Sequence, residues 1–439
     1  MKANKLKLML GGLLIGASVQ QGFSQMQFTA QYISRGEYRH GYQSLADTSQ
    51  KGNVFISQRA RIMGDYKHDK FKIHVSAQDV RTWGSVANSA IDTKGLFSVY
   101  EAYGELAFTK KLSMKFGRQA ISLDDDRIFG SLDWTMAARR HDAAVFKYAD
   151  STLTIYAGGA YNQNAESNKW NQYTVSGNYK TLQYLWANKM VGKNNFSFLF
   201  LNNGNSYTKV DATTGKKDSI TVFSQTVGLR GEHKGDKLSG IVYAYYQTGK
   251  DNANKDISAY DVCGEIGYKP IKGLQLTLGA ELLSGTSQTD TANKTNNSFN
   301  PFYGTNHRFN GYMDYFYVGN HINSVGLLDG YFRVHYTYKK LLVGLNSHYF
   351  NAATDIRDKR KGITDKMASK HLGAEFDFTL GYNFSDGVAI QSGYSQIFAT
   401  TGMQMIKTTS SLKPNSNWAY VMLIIKPGAM KWPKIGLKM

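Results

Sequence analysis

Apolar and polar residues alternate with a period of two along most of this chain. In 26–40, Phe28, Ala30, Tyr32 and Tyr38 share one face, while Gln31, Arg35, Glu37 and Arg39 share the other. In 54–66, Ile56, Ala60, Ile62 and Tyr66 oppose Ser57, Arg59, Arg61 and Asp65. In 71–78, Phe71, Ile73, Val75 and Ala77 oppose Lys72, His74, Ser76 and Gln78. In 237–247, Leu238, Val242, Ala244 and Tyr246 alternate with Ser239, Tyr243 and Gln247. Segments of about ten residues with this period are the mark of membrane-crossing strands that show one face to lipid and one to water.

The connections between segments set the count. Short ones fall at 67–70, 109–111, 149–151, 191–194, 234–237, 269–273, 339–340 and 385–387. Longer polar ones fall at 41–53, 84–96, 120–140, 162–174, 203–219, 250–256, 285–329, 351–369 and 400–415. They alternate strictly, starting and ending with a long one, and so join eighteen strands. The pattern predicts an all-β fold: a closed antiparallel transmembrane β-barrel of about eighteen strands, with short periplasmic turns and long extracellular loops. Both termini then lie in the periplasm. Proline placement agrees, because none of the five lies between Gln25 and Lys269, where twelve strands are expected. A proline inside a central strand removes a ladder hydrogen bond.

Composition narrows the class further. The chain has 439 residues, 43 of them Gly and only 5 Pro, with 13% aromatics. The single cysteine, Cys263, excludes a disulfide scaffold and a cysteine-based zinc site. No apolar run of about 18 residues follows the N-terminus, which argues against membrane-spanning helices. The first 24 residues carry Lys2, Lys5 and Lys7, an apolar stretch over 8–19, and small residues at Gly22 and Ser24. They read as a secretory signal peptide cut before Gln25. The organisation is therefore signal peptide 1–24, barrel 25–427 and basic tail 428–439, without room for an N-terminal plug domain. The expected setting is the bacterial outer membrane, with the lipid bilayer, lipopolysaccharide and the barrel-assembly machinery as partners and no nucleic acid. The last strand, 418–426, would carry the assembly signal internally.

The formal charge is +19, and strand parity decides where it goes. An Arg or Lys facing lipid at mid-membrane costs about 2–4 kcal/mol. Arg35, Arg39, Arg59 and Arg61 should therefore point into the lumen, as should Lys72, Lys115 and Arg333. Arg81, Arg118 and Arg127 lie near strand ends or in the third long loop and join them as candidate pore-lining residues, with Glu37 and Glu101. Other lumen acids are Asp65, Glu105, Glu265, Glu281, Glu375 and Asp377. Two readings follow for the arginines. They pair with acids and hold the barrel round, or they make a lopsided positive wall that concentrates anions in a low-dielectric bore. Many lysines fall in the short turns and are not pore charge. The run 355–361 (DIRDKRK) reads as a solvated loop.

Several stretches resemble the alginate-export family of outer-membrane porins: RGEYRHGY at 35–42, QDVRTWG at 78–84, FGRQ at 116–119, RIFGSLDW at 127–134, RHD at 140–142 and YGTNHRFNGYMDYF at 303–316. Together they span most of the chain after the signal peptide. The resemblance implies an eighteen-stranded barrel whose arginine-rich lumen passes anionic polysaccharide. One departure is the connection 385–387, which is short where the family's alginate exporters carry a long periplasmic turn.

Other constellations carry less. His68-Asp69 and His141-Asp142 lack the further ligands a metal site needs, and no cofactor is called for. Asp124-Asp125-Asp126 lacks the wider pattern of a calcium loop and reads as a loop tip paired to Arg127. Ser347-His348 are adjacent strand residues and face opposite sides. Glu101 and Glu105 lie about 13 Å apart, too far for glycoside chemistry by themselves. The aromatic loop 285–329, with Phe299, Phe302, Tyr303, His307, Phe309, Tyr312, Tyr315 and Phe316, is expected to fold inward and narrow the pore. The function expected is passive diffusion of anionic solutes, acidic uronate-type oligo- or polysaccharides above all, without catalytic residues. The alternatives are a general porin with structural lumen charges and, further off, an outer-membrane hydrolase.

Overall fold

A computed structural model describes residues 25–431 apart from 48, 90–92, 170–176, 291, 317, 360–366, 408–414 and 429. Residues 1–24, expected to be a signal peptide, lie outside the described residues. Eighteen long strands follow in order: β1 (Gln25–His40), β2 (Asn53–His68), β3 (Phe71–Thr82), β4 (Phe97–Ala107), β5 (Leu112–Gln119), β6 (His141–Ala149), β7 (Leu153–Tyr161), β8 (Thr181–Val191), β9 (Asn194–Val210), β10 (Lys217–Lys234), β11 (Leu238–Lys250), β12 (Asp256–Tyr268), β13 (Leu274–Leu283), β14 (Leu327–Tyr338), β15 (Leu341–Asn351), β16 (His371–Ser385), β17 (Val388–Ala399) and β18 (Asn415–Ile425). Each pairs antiparallel with its sequence neighbours, and β1 closes on β18 from Tyr32↔Ile425 to His40↔Asn417. Closure pairs every strand on both sides, which a sheet in hydrocarbon requires.

The faces follow the alternation. Ile62, Leu229 and Val242 are 67%, 65% and 62% exposed and point to lipid, while their neighbours Arg61, Arg230 and Tyr243 are buried in the lumen. All eight short turns stand where the sequence puts them. One long connection does not: β9 and β10 stay paired up to Val210 and Lys217, so 203–219 is mostly ladder with a six-residue tip at 211–216. Thr, Tyr and Ser in 206–208 and 219–223 suit strand, and their polarity reads as loop only because this hairpin stands clear of the apolar band. The basic tail also begins inside the sheet, because Met430 and Lys431 pair with Phe28 and Gln27 of β1.

The core of the molecule sits inside the barrel. The third long loop, 120–140 (L3), and the seventh, 284–326 (L7), enter the lumen and bury Phe129, Met313 and Tyr315 completely. L7 carries a single 3-10 turn at Asn306–Arg308 and the short helix α1 (Val318–His321). A second helix, α2 (Thr401–Ile406), lies in the ninth loop, and its end reaches L7 where Lys407 Nζ donates to the carbonyls of Tyr315 and Asn320.

Candidate functional site

The constriction is built where L3 and L7 meet. Their backbones join directly: Gly130 N donates to Tyr303 O (2.9 Å), Tyr303 N to Ile128 O (3.0 Å) and Thr305 N to Asp126 O (2.9 Å). Gly304 makes this approach possible, since a Cβ there would lie 2.2 Å from the Arg127 carbonyl oxygen. Trp134 of L3 stacks on His307 of L7 with centroids 4.2 Å apart, and His307 Nδ1 is 2.8 Å from Asp314 Oδ1.

L3 covers the arginines of the first strands. Arg59 is fully buried, with Nη1 3.1 Å from Asp133 Oδ1 and bonded to the Met136 carbonyl, while Nη2 donates to Gln31 Oε1. Arg61 donates twice to Gln78 Oε1 and lies 3.7 Å over the Tyr100 ring. Arg35 is held by Glu37 Oε1 (2.9 Å) and the Trp134 carbonyl, and Arg39 by Glu37 Oε2 (2.8 Å). These four do point into the lumen, as parity requires. They are spent, however, on acids and on L3 carbonyls. The pairing reading therefore describes them, and the open positive wall does not form there.

L7 rests on the opposite wall, and acids hold it. Met313 N donates to Glu375 Oε1 (2.8 Å), Asn310 Nδ2 to Glu281 Oε2 (2.6 Å) and Asp329 Oδ2 (3.1 Å), and Tyr312 N to Asp377 Oδ2 (3.3 Å). Gly311, at φ +85°, lets the chain pass so close that a Cβ would sit 2.6 Å from the Glu375 carboxylate. Arg127 fastens both loops to this wall, with Nε 2.9 Å from Asp261 Oδ2 and Nη2 2.7 Å from Glu281 Oε1. Arg127 is therefore a buried clamp rather than a pore-facing charge, and it does not pair with the preceding acids. Asp124 takes Ser197 and Trp186, Asp125 takes Arg230, and Asp126 takes Ser122.

Two of the candidates lie on the wrong face. Register pairs Arg81 with Gln58, next to inward Arg59, and Arg118 with Ala102, next to inward Glu101. Arg81 and Arg118 therefore point outward, where each is compensated by a partner on the same face, Asp79 and Asp142 (2.9 Å). The desolvation argument that sends arginines inward assumes a bare charge, and an outward ion pair evades it. Lys72 and Lys115 do face the lumen, Lys72 on Asp65 (2.7 Å) and Lys115 over the Tyr103 ring (4.6 Å). Glu101 also faces in, and its Oε1 accepts from Ala120 N (2.9 Å). A register shift in the β3–β4 pair between Ser76 and Ala77 turns Tyr100 inward beside Glu101. A bulge of this kind re-aims a side chain against the simple alternation, which is why the alternation gave no sign of Tyr100.

What remains open are cavities on either side of the L3–L7 junction. One, of about 570 Å³, is lined by Trp134, His307, Tyr312 and Tyr420 together with Arg308 and Arg333, and contains no Asp or Glu among its described lining residues. Arg333 leans on Glu265 (3.2 Å) and on the Tyr331 ring, whereas Arg308 is 56% exposed at the end of the 3-10 turn and 3.6 Å from Asp126. Arg308 was missed by strand parity because a loop positions it. Its place in the HRF stretch of an aromatic loop was the available signal. Another cavity, of about 510 Å³, lies toward the long loops and is rich in asparagines. Among the described residues no group of His, Cys, Asp and Glu is arranged to hold a metal.

A closed barrel of eighteen antiparallel strands with a lumen narrowed by inward loops defines an outer-membrane channel of the porin type. Within that class the chain belongs to the alginate export family, whose sequence profile matches residues 24–410. No curated protein sequence matches it significantly. Its fold is similar to that of Pseudomonas aeruginosa OccK9 (OpdG), at 10% identity and TM-score 0.59 over 93% of this chain and 98% of that one. It is similar also to Acinetobacter baumannii OccAB4, at 15% identity and TM-score 0.58 over 94% and 99%. Pseudomonas aeruginosa OpdK, solved with vanillate, matches at 12% identity and TM-score 0.55 over 92% and 99%.

Proposed function

We propose that this channel passes anionic solutes by diffusion, acidic uronate-type saccharides foremost, and that the selective charge is the pair Arg308 and Arg333. The observation that carries the reading is the cavity beside L7, whose described lining has arginines as its only full charges and sets them among Trp134, Tyr312 and Tyr420. A guanidinium receives a carboxylate through two parallel hydrogen bonds, and flat aromatic faces suit sugar rings. Low-dielectric walls focus the field of two cations on a passing anion. The site is also weak and open enough to release it. Membership in a family named for alginate export supports a uronate-bearing cargo. The barrel would sit with its short turns and both termini in the periplasm, inserted by the barrel-assembly machinery. Vanillate in OpdK favours a second reading, a small aromatic carboxylate seated at the same arginines.

The test is the reversal potential of the full-length protein in planar bilayers under a KCl gradient. Anion preference should appear in the native protein and fall toward neutrality in the Arg308→Ala, Arg333→Ala double variant. Cation preference in the native protein, or indifference to both substitutions, would refute the assignment. Uronate oligomers and vanillate, added in turn as blockers, separate the two cargo readings.

A further inference from the structure

The second large cavity has a chemistry opposite to the first. It opens toward the long loops and is lined by residues of β9, β10 and β11, of the connections before β8 and after β11, and of L7. Seven of its lining residues are asparagines, joined by Gln247, several serines, Phe302 and Tyr303. Asp251 is the only charged residue among its described lining residues. That carboxylate is already engaged, accepting from Ala253 N (2.9 Å), Lys255 N (2.8 Å) and Asn296 Nδ2 (3.0 Å). An anionic ligand would meet no counter-charge here, and a cation would meet one spent carboxylate.

The amides are held in place before any ligand arrives. Gln247 is locked to L7 on both sides, donating to the Asn300 carbonyl (2.8 Å) and accepting from Asn300 N (2.9 Å). Asn300 Oδ1 accepts from Phe302 N (2.9 Å), which fixes Phe302 in a left-handed backbone conformation (φ +43°). Tyr303 OH donates to Asn203 Oδ1, which ties the ring to β9. Phe302 and Tyr303 stack with centroids 5.8 Å apart, and both line the cavity.

Carboxamides offer both donors and acceptors, as does a hydroxyl. A row of fixed amides therefore matches vicinal hydroxyls without asking for charge, and the adjoining rings match the C–H face of a pyranose. A preformed site loses little side-chain entropy on binding. We propose that this cavity is an entry subsite for uncharged sugar residues, placed above the arginine cavity and independent of it. A saccharide would be held here by its hydroxyls before any carboxylate it bears meets Arg308 and Arg333.

Isothermal titration of maltohexaose into the full-length protein, in a detergent without a sugar head group, tests this. Saturable binding is expected, weakened about tenfold in the Asn205→Leu, Asn300→Leu double variant, as the loss of one or two hydrogen bonds implies. Heat-modifiable migration of the variant shows whether the barrel is still folded. Should it be unfolded, Ser224→Val and Asn205→Leu replace the pair. In bilayers, maltohexaose should reduce the current only from the long-loop side. Absence of maltohexaose binding, or equal binding by a folded variant, overturns the subsite. Block by oligogalacturonate without any by maltohexaose overturns it too, while leaving the anion reading of the lower cavity intact.

Discussion

Arg127 shows what a single charge does inside this lumen. It is 1% exposed and satisfies two acids that are themselves buried, Asp261 and Glu281. Removing one partner of such a set leaves charge uncompensated and costs about 3–5 kcal/mol. Arg127→Met should therefore loosen L3 and L7 without opening the sheet. Hydrogen exchange would show it as faster exchange over 123–134 and 303–310 with the strands still protected, and unchanged exchange in both loops would contradict the clamp. Lys407 is the second such residue. Burial pushes its ammonium down to about 7 from an ordinary 10.5. Below pH 7 the docked and undocked forms both hold the proton. Between about 7 and 10.5 only the undocked form holds it, so docking of α2 on L7 gains stability as pH rises. His321, the neighbouring titratable group, is pushed down to about 3 and stays neutral in this window. Proteolytic cleavage in 400–414 should slow across that range, and Lys407→Met should flatten the dependence. At this scale the sequence told inside from outside for Arg35, Arg59 and Arg61. It could not show their loop partners, since Asp133 and Met136 for Arg59 and Arg61 and the Trp134 carbonyl for Arg35 come from a loop more than seventy residues away. It failed for Arg81 and Arg118, where a same-face acid one strand over, or two residues along, cancels the cost of facing out.

Strands and loops differ in how much of them a sequence declares. A strand that crosses lipid has its two faces solvated differently, so the alternation is written into it, and Val242 and Tyr243 show the two sides in adjacent positions. Val242→Arg should destabilise the folded barrel by about 2–4 kcal/mol if the position lies near mid-membrane. Urea titration in lipid vesicles measures this, and a neutral effect would place Val242 outside the hydrocarbon. The β9–β10 hairpin was misjudged because its upper half leaves that environment and loses the apolar face. L7 was legible as an inward element from its length and rings. Its seat was not, because Glu281, Asp329, Glu375 and Asp377 come from three other places in the sheet and meet only after closure.

For the whole molecule, the formal charge of +19 is a poor guide to the bore. Turn lysines such as Lys67, Lys193 and Lys234 carry much of it at the rim. Inside, basic side chains cluster on the β1–β6 wall under L3 and acidic ones on the β12–β16 wall under L7, so most of the lumen charge is internal scaffolding. Among the cavities this scaffolding leaves are two with different chemistry. The architecture and the strand count were readable from period and punctuation, and the family from the resemblance of stretches such as RIFGSLDW at 127–134. Of the two proposed selective groups, parity placed Arg333 in the lumen but not Arg308, which an insert crossing the interior positions.

The backbone seam between Gly130 and Tyr303 has an evolutionary corollary. Under the proposed reading, two insertions docked by carboxylates supply Trp134 and Arg308, while inward strand positions such as Arg333 and Tyr420 supply the rest, and the lipid-facing side chains take no part. Exchanging those insertions between homologues, with the few inward strand residues they meet, would alter preference without touching the lipid-facing surface, so cargo can drift in a lineage whose outer shape barely changes.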